Sequence, residues 1–135
     1  TVLSTREFKF YSYYHRIKET LRQYWKPNVE RRLAMLWHRG ARMKDAELVT
    51  QVLVLLDEKG TLTRITRVTS SGFSDLDEAA MEAFNQAAPF PNPPTGMIDK
   101  DGLVRIRWDF ILKTEASPQI SFRSGGAPPP SRRMP

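Results

Sequence analysis

The chain predicts an α+β domain in which N-terminal helices are followed by a β-hairpin, a further helix and a final strand. Three observations carry that expectation. Apolar residues recur at helical spacing from Phe10 to Trp25 and at strand spacing from Val104 to Leu112. Leu48 to Leu56 is an almost unbroken aliphatic run closed by a Gly-ended turn. Ser70 to Pro94, SSGFSDLDEAAMEAFNQAAPFPNPP, joins a strand exit, a helix start, a small-residue helix face and a stiff proline exit in one passage. A three-stranded antiparallel sheet with helices packed on one face accommodates this order.

In the first helix, Phe10, Tyr13, Tyr14, Ile17, Leu21, Tyr24 and Trp25 form the apolar stripe, opposite His15, Arg16, Lys18, Glu19 and Arg22. Pro27 disfavours helical geometry at Lys26, so the helix is expected to stop or kink there. Asn28 then suits the cap of a second short helix, with Val29, Leu33, Leu36 and Trp37 as its stripe and Gly40 as its stop. Ala41 to Glu47 reads as a loop. The strand Leu48–Leu56 is apolar on both faces, as a covered or central strand is. A face left uncovered would favour a homodimer. Asp57-Glu58-Lys59-Gly60 suits a hairpin turn. In the partner strand, Thr61 to Thr69, the irregular spacing of Leu62, Ile65 and Val68 predicts a bulge near Thr63 or Arg64.

Ser74 suits a helix cap, and Asp75, Asp77 and Glu78 sit in the first turn, where the helix dipole favours negative charge. The stripe Leu76, Ala79, Ala80, Ala83, Phe84, Ala87, Ala88 predicts a helix lying close to its sheet. Pro89-Phe90-Pro91-Asn92-Pro93-Pro94 cannot extend that helix and reads as a rigid connector. After a turn at Asp99–Gly102, the last strand places Val104, Ile106, Trp108, Phe110 and Leu112 on one face and Arg105, Arg107 and Asp109 on the other. The organisation is thus an extension at 1–9, a domain at 10–113, and a polar, Gly- and Pro-rich tail at 114–135. The tail is expected to be disordered, apart from a short strand at Gln119 to Phe122.

Composition narrows the function. With 135 residues, 40% hydrophobic and 27% charged, the chain suits one soluble domain, and no apolar run is long enough to span a membrane. The first residue is Thr1, and the sequence is expected to be a processed product or a fragment. Cysteine is absent, which removes disulfides and thiolate metal sites. A net charge of +6, with five basic and no acidic residues from Arg31 to Lys44, points to acidic partners. Enzyme readings find no support. His15 and His38 are far apart, no phosphate-cradling glycine loop is present, and a helix N-terminus accounts for Asp75, Asp77 and Glu78. Base stacking by Trp108 beside Arg105 and Arg107 is disfavoured, because strand alternation points the indole away from those arginines. No cofactor, metal or nucleic acid is expected.

Gly60, Ser70-Ser71-Gly72, Leu76-Asp77, Ala79-Ala80, Ala83, the exit Ala88-Pro89-Phe90-Pro91 with Pro93-Pro94, and the closing strand together resemble the C-terminal domain of the TonB/TolA family of energy transducers. The long first helix stands where members close to TonB have a short Tyr-Pro lead-in, and the cysteine pair of many TolA domains is missing. The resemblance implies a periplasmic protein-binding module that couples inner-membrane proton-motive force to an outer-membrane transporter or other envelope protein. An inner-membrane anchor and contact with a proton-channel complex would lie outside this chain. A scaffold of an envelope motility or secretion machine is the alternative, and a basic nucleic-acid-binding domain a lesser one. The expected docking edge is the last strand, Val104, Arg105, Ile106, Arg107, Trp108, Asp109 and Phe110, to which an extended partner segment would add. Proline at Ile106 would then weaken binding. Ser70, Ser71, Gly72, Leu76, Asp77, Pro89, Phe90 and Pro91 form the expected structural joint.

Overall fold

The computed structural model describes residues 5–38, 47–114 and 119–126. Its elements are α1 (Thr5–Lys9), α2 (Tyr11–His38), β1 (Glu47–Leu56), β2 (Leu62–Thr69), α3 (Ser74–Ala87), a 3-10 turn (Thr95–Met97), β3 (Val104–Lys113) and β4 (Gln119–Gly126). The mixed helix-and-sheet class is as expected, but the antiparallel sheet has four strands rather than three, in the order β2-β1-β3-β4.

The expected break at Pro27 does not occur. One 28-residue helix runs through it, about 42 Å long at 1.5 Å per residue. Proline removes one backbone donor and strains the preceding turn. The buried stripe Tyr13, Tyr14, Ile17, Leu21, Trp25, Val29, Leu33 and Leu36 continues on the same face past position 27, and its burial outweighs that cost. Asn28 is therefore not a cap. It lies buried in mid-helix and its Nδ2 donates to Ala79 O (3.4 Å) and Gln86 Oε1 (3.0 Å) on α3. Tyr24 falls off the stripe and is exposed. Gly40, the loop from Ala41 and most of the basic run lie outside the described residues, while Arg32 pairs with Glu82 on α3.

In the sheet, Val52, Val54, Leu56, Ile106, Trp108, Phe110 and Leu112 point into a core shared with α2 and α3. Ala79, Ala80, Ala83 and Ala87 are all buried, which lets α3 sit close. Val49, Leu53 and Leu55 lie on the opposite face, outside that core. The expected bulge is present: Leu55 pairs Arg64 and Leu56 pairs Leu62, leaving Thr63 as the extra residue. A second irregularity leaves out Val68. Ser74 is the first helical residue rather than the cap, and Phe73 holds the cap position without a side-chain bond.

Part of the expected tail is ordered. In β4, Ile120 and Phe122 alternate with Ser121 and Arg123, and the Phe122 ring lies 4.9 Å from Trp25, 5.8 Å from Trp108 and 5.5 Å from Phe110. That aromatic contact, added to the ladder with β3, offsets the ordering cost and extends the short strand expected at Gln119 to Phe122 as far as Gly126.

Candidate functional site

The joint divides into two locks at opposite ends of α3. At its start, Asp77 is 1% exposed, and its carboxylate accepts from Thr50 Oγ1 (2.8 Å), the Ser71 N–H (2.9 Å), Ser70 Oγ and Arg67 Nη1 (3.3 Å). Burial pushes this carboxyl up, but the bonds from Ser70, Ser71 and Thr50 more than offset it and hold it below the usual carboxylate range. Asp77 thus ties β1, the β2–α3 turn and α3 together. It is a structural anchor. Gly72, at φ +98°, makes the turn, and Leu76 enters the core.

At the other end, the hairpin tip clasps the proline exit. The Phe90 N–H donates to Gly60 O (2.9 Å), and Tyr13 Oη donates to Phe90 O (2.6 Å). Burial pushes the Tyr13 phenol far above its ordinary value and keeps it a donor. Arg16 donates to Pro91 O (3.1 Å), and the Ala88–Pro89 bond is cis. Gly60 has φ +87°, and a Cβ there would stand 1.9 Å from Phe90 O, so no other residue fits. Sequence reading identified both halves of this clasp but not that they touch.

The strand expected to be the docking edge is interior. β3 is paired on one side by β1 and on the other by β4, so its ladder groups are already used. Val104, Ile106, Trp108 and Phe110 are buried in the core. Arg105 is clasped by Asp99 (2.9 Å) and Asp101 (2.7 Å), and Asp109 accepts from Arg123 of β4 (3.0 Å). Of the three expected outward-facing residues Arg105, Arg107 and Asp109, only Arg107 has no ion pair among the described residues. Proline at Ile106 would break two ladders and the core together, so it does not isolate binding.

Among the described residues the outermost strands are β2 and β4, and α1 lies beside β4. β2 is blunted by its two irregularities and by Arg64 and Arg67, devices that discourage strand addition. β4 is regular over residues 119–124, with Gln119, Ser121 and Arg123 exposed. Beside its start, a groove of about 410 Å³ is lined by Lys26, Val29, Glu30, Leu33 and Ala34 of α2 and by Leu112 and Ile120 of the sheet. Sequence reading places a short strand at Gln119 to Phe122 but not its position as the outer strand of the sheet. Among the described residues no group of His, Asp or Glu is placed to hold a metal, and no helix is long and apolar enough to cross a membrane.

The family model described as TonB C terminal matches residues 10–107, from the start of the α2 stripe into β3. No curated protein and no solved structure matches the chain. The matched span includes both locks around α3 and covers most of the sequence, so the chain belongs to the TonB C-terminal family, whose domains serve as protein-interaction modules of envelope energy transducers.

Proposed function

We propose that this chain is the periplasmic, partner-binding end of an envelope energy transducer and that it receives an extended segment of an outer-membrane protein along the outer edge of β4. The docking edge lies one strand outward from the one expected from the sequence. Proton-motive force would be delivered from an inner-membrane complex through regions outside this chain. The β4 edge carries the reading: among the described residues its outer backbone groups have no strand partner, whereas β3 is paired on both sides and β2 is blunted. Main-chain hydrogen bonds would supply affinity and alternate side chains the selectivity.

The test is site-specific photocrosslinking in cells, with the crosslinker at Gln119 or Ser121 on β4 and at Thr63 or Thr66 on β2. The expected result is a crosslink to an outer-membrane protein from β4 alone. Crosslinks from β2 alone would refute the edge assignment. Capture from β4 of an inner-membrane motility or secretion component would refute the transducer role.

A further inference from the structure

We propose that α1 is a latch. Under tension on its N-terminal side it comes off the body of the domain as a unit, while α2 and the sheet stay folded, and its release uncovers the end of β4. The tension rests on the transducer reading; the latch rests on how α1 is held.

α1 is seated inside out. Its one large apolar residue, Phe8, is 75% exposed, and the two residues that face the domain are charged. Glu7 is 3% exposed and pairs with Lys18 of α2 (2.6 Å). The Arg6 guanidinium donates to two main-chain carbonyls, Arg105 O of β3 (2.9 Å) and Met97 O of the 3-10 turn (3.1 Å). The β3–β4 ladder ends at Arg107 and Gly126, so Arg6 takes up a carbonyl of β3 past the last pair, beside the end of β4.

Such a seat gives way early. Lifting α1 exposes little apolar surface, and water solvates the freed charges, which offsets much of what their contacts contribute. A five-residue helix is too short to persist alone, so it leaves as a whole. α2 is held differently: Tyr13, Tyr14, Ile17, Leu21 and Trp25 are each at most 2% exposed. Phe10 marks the boundary between the two helices. Its N–H donates to Arg6 O (3.0 Å), and its ring packs against Gly96, where a Cβ would stand 2.9 Å from the ring Cζ. The family match also begins at residue 10, so α1 lies outside the part of the chain shared with the family. A pull from the N-terminal side reaches α1 before α2, and the polar contacts of Arg6 and Glu7 yield before the aromatic stripe does.

Native-state hydrogen exchange of the intact chain in rising, sub-denaturing urea tests whether α1 is a separate unit. The Phe10 N–H should exchange about a hundredfold or more faster than the Leu21 N–H and without urea dependence, whereas Leu21 follows global unfolding. Arg6→Ala should speed Phe10 exchange about tenfold or more, and Arg6→Lys by less. The chain has no cysteine, so introduced single cysteines can carry the handles for optical tweezers. Thr5→Cys with Lys59→Cys loads α1, and Ser12→Cys with Lys59→Cys bypasses it. The expected result is a reversible step of about 10 Å before global unfolding for the first pair only, at lower force in Arg6→Ala. Phe10 exchange that shares the urea dependence of Leu21, or that Arg6→Ala leaves unchanged, overturns the latch. A step that is absent, or that appears with both handle pairs, overturns its release by tension. The crosslinking result is separate: capture of a motility or secretion component removes the transducer reading and leaves the latch standing.

Discussion

Replacing Gly60 with alanine measures how much the clasp between the hairpin tip and the proline exit contributes to stability. Two costs add. An L-residue held at φ +87° is strained by about 1–2 kcal/mol. The new Cβ would also sit 1.9 Å from Phe90 O and 2.5 Å from its carbonyl carbon, so the two backbones must part. Parting them disturbs the Phe90 N–H bond to Gly60 O and the Tyr13 bond to Phe90 O, each worth about 1 kcal/mol net. The total is about 3–4 kcal/mol, a large share of the roughly 5–15 kcal/mol of a typical domain. Gly72 supplies the control. It has φ +98° but open space around the position of a Cβ, so Gly72→Ala should cost the conformational strain alone, about 1–2 kcal/mol. Urea unfolding at equal m-values reads both variants. Equal losses for the two glycines would refute the idea that the clasp stabilises the fold.

Asp77→Ala leaves Thr50, Ser70 and the Ser71 N–H without their acceptor and should cost about 2–4 kcal/mol by the same unfolding assay. Because the Asp77 carboxyl is held below its unfolded value of about 3.9, its contribution is fully present above that pH and is lost as pH falls through the lower, folded value. Asp77→Asn should show a shallower loss of stability between neutral pH and pH about 3, and an unchanged slope would contradict this. Phe122→Ala should cost about 3–5 kcal/mol and shift the emission of Trp25 and Trp108 as β4 loosens, whereas unaltered emission would argue that β4 does not seal the aromatic core. Ala83→Leu overpacks the α3–sheet contact by about 1–3 kcal/mol, which thermal melting would report as a lower Tm.

The sequence made the parts with a strong local signal legible. Leu48–Leu56 became β1 as an aliphatic run apolar on both faces, and Val104–Leu112 became β3 because its side chains alternate against the core. What failed depended on partners distant in the chain. The rule applied at Lys26-Pro27 is local, and the buried stripe from Tyr13 to Leu36 overrode it. β4 has only Ile120 and Phe122 as inward apolar residues, and the rings that hold Phe122 come from α2 and β3. With the short strand at Gln119–Phe122 not assigned to the sheet, β3 had to look like an edge. Asp77 has the residue type and position of an ordinary helix-start acid. Its anchoring role depends on Thr50, 27 residues earlier.

The unequal edges of the sheet also set how far it can grow. A sheet open at both ends can take a strand on each side, and chains that join in this way form filaments without a natural stop. Here β2 closes one end through its irregular register and through Arg67, whose guanidinium is held by the same buried Asp77 that fixes α3. On the proposed docking at β4, addition would be limited to a single strand, giving the domain a valency of one.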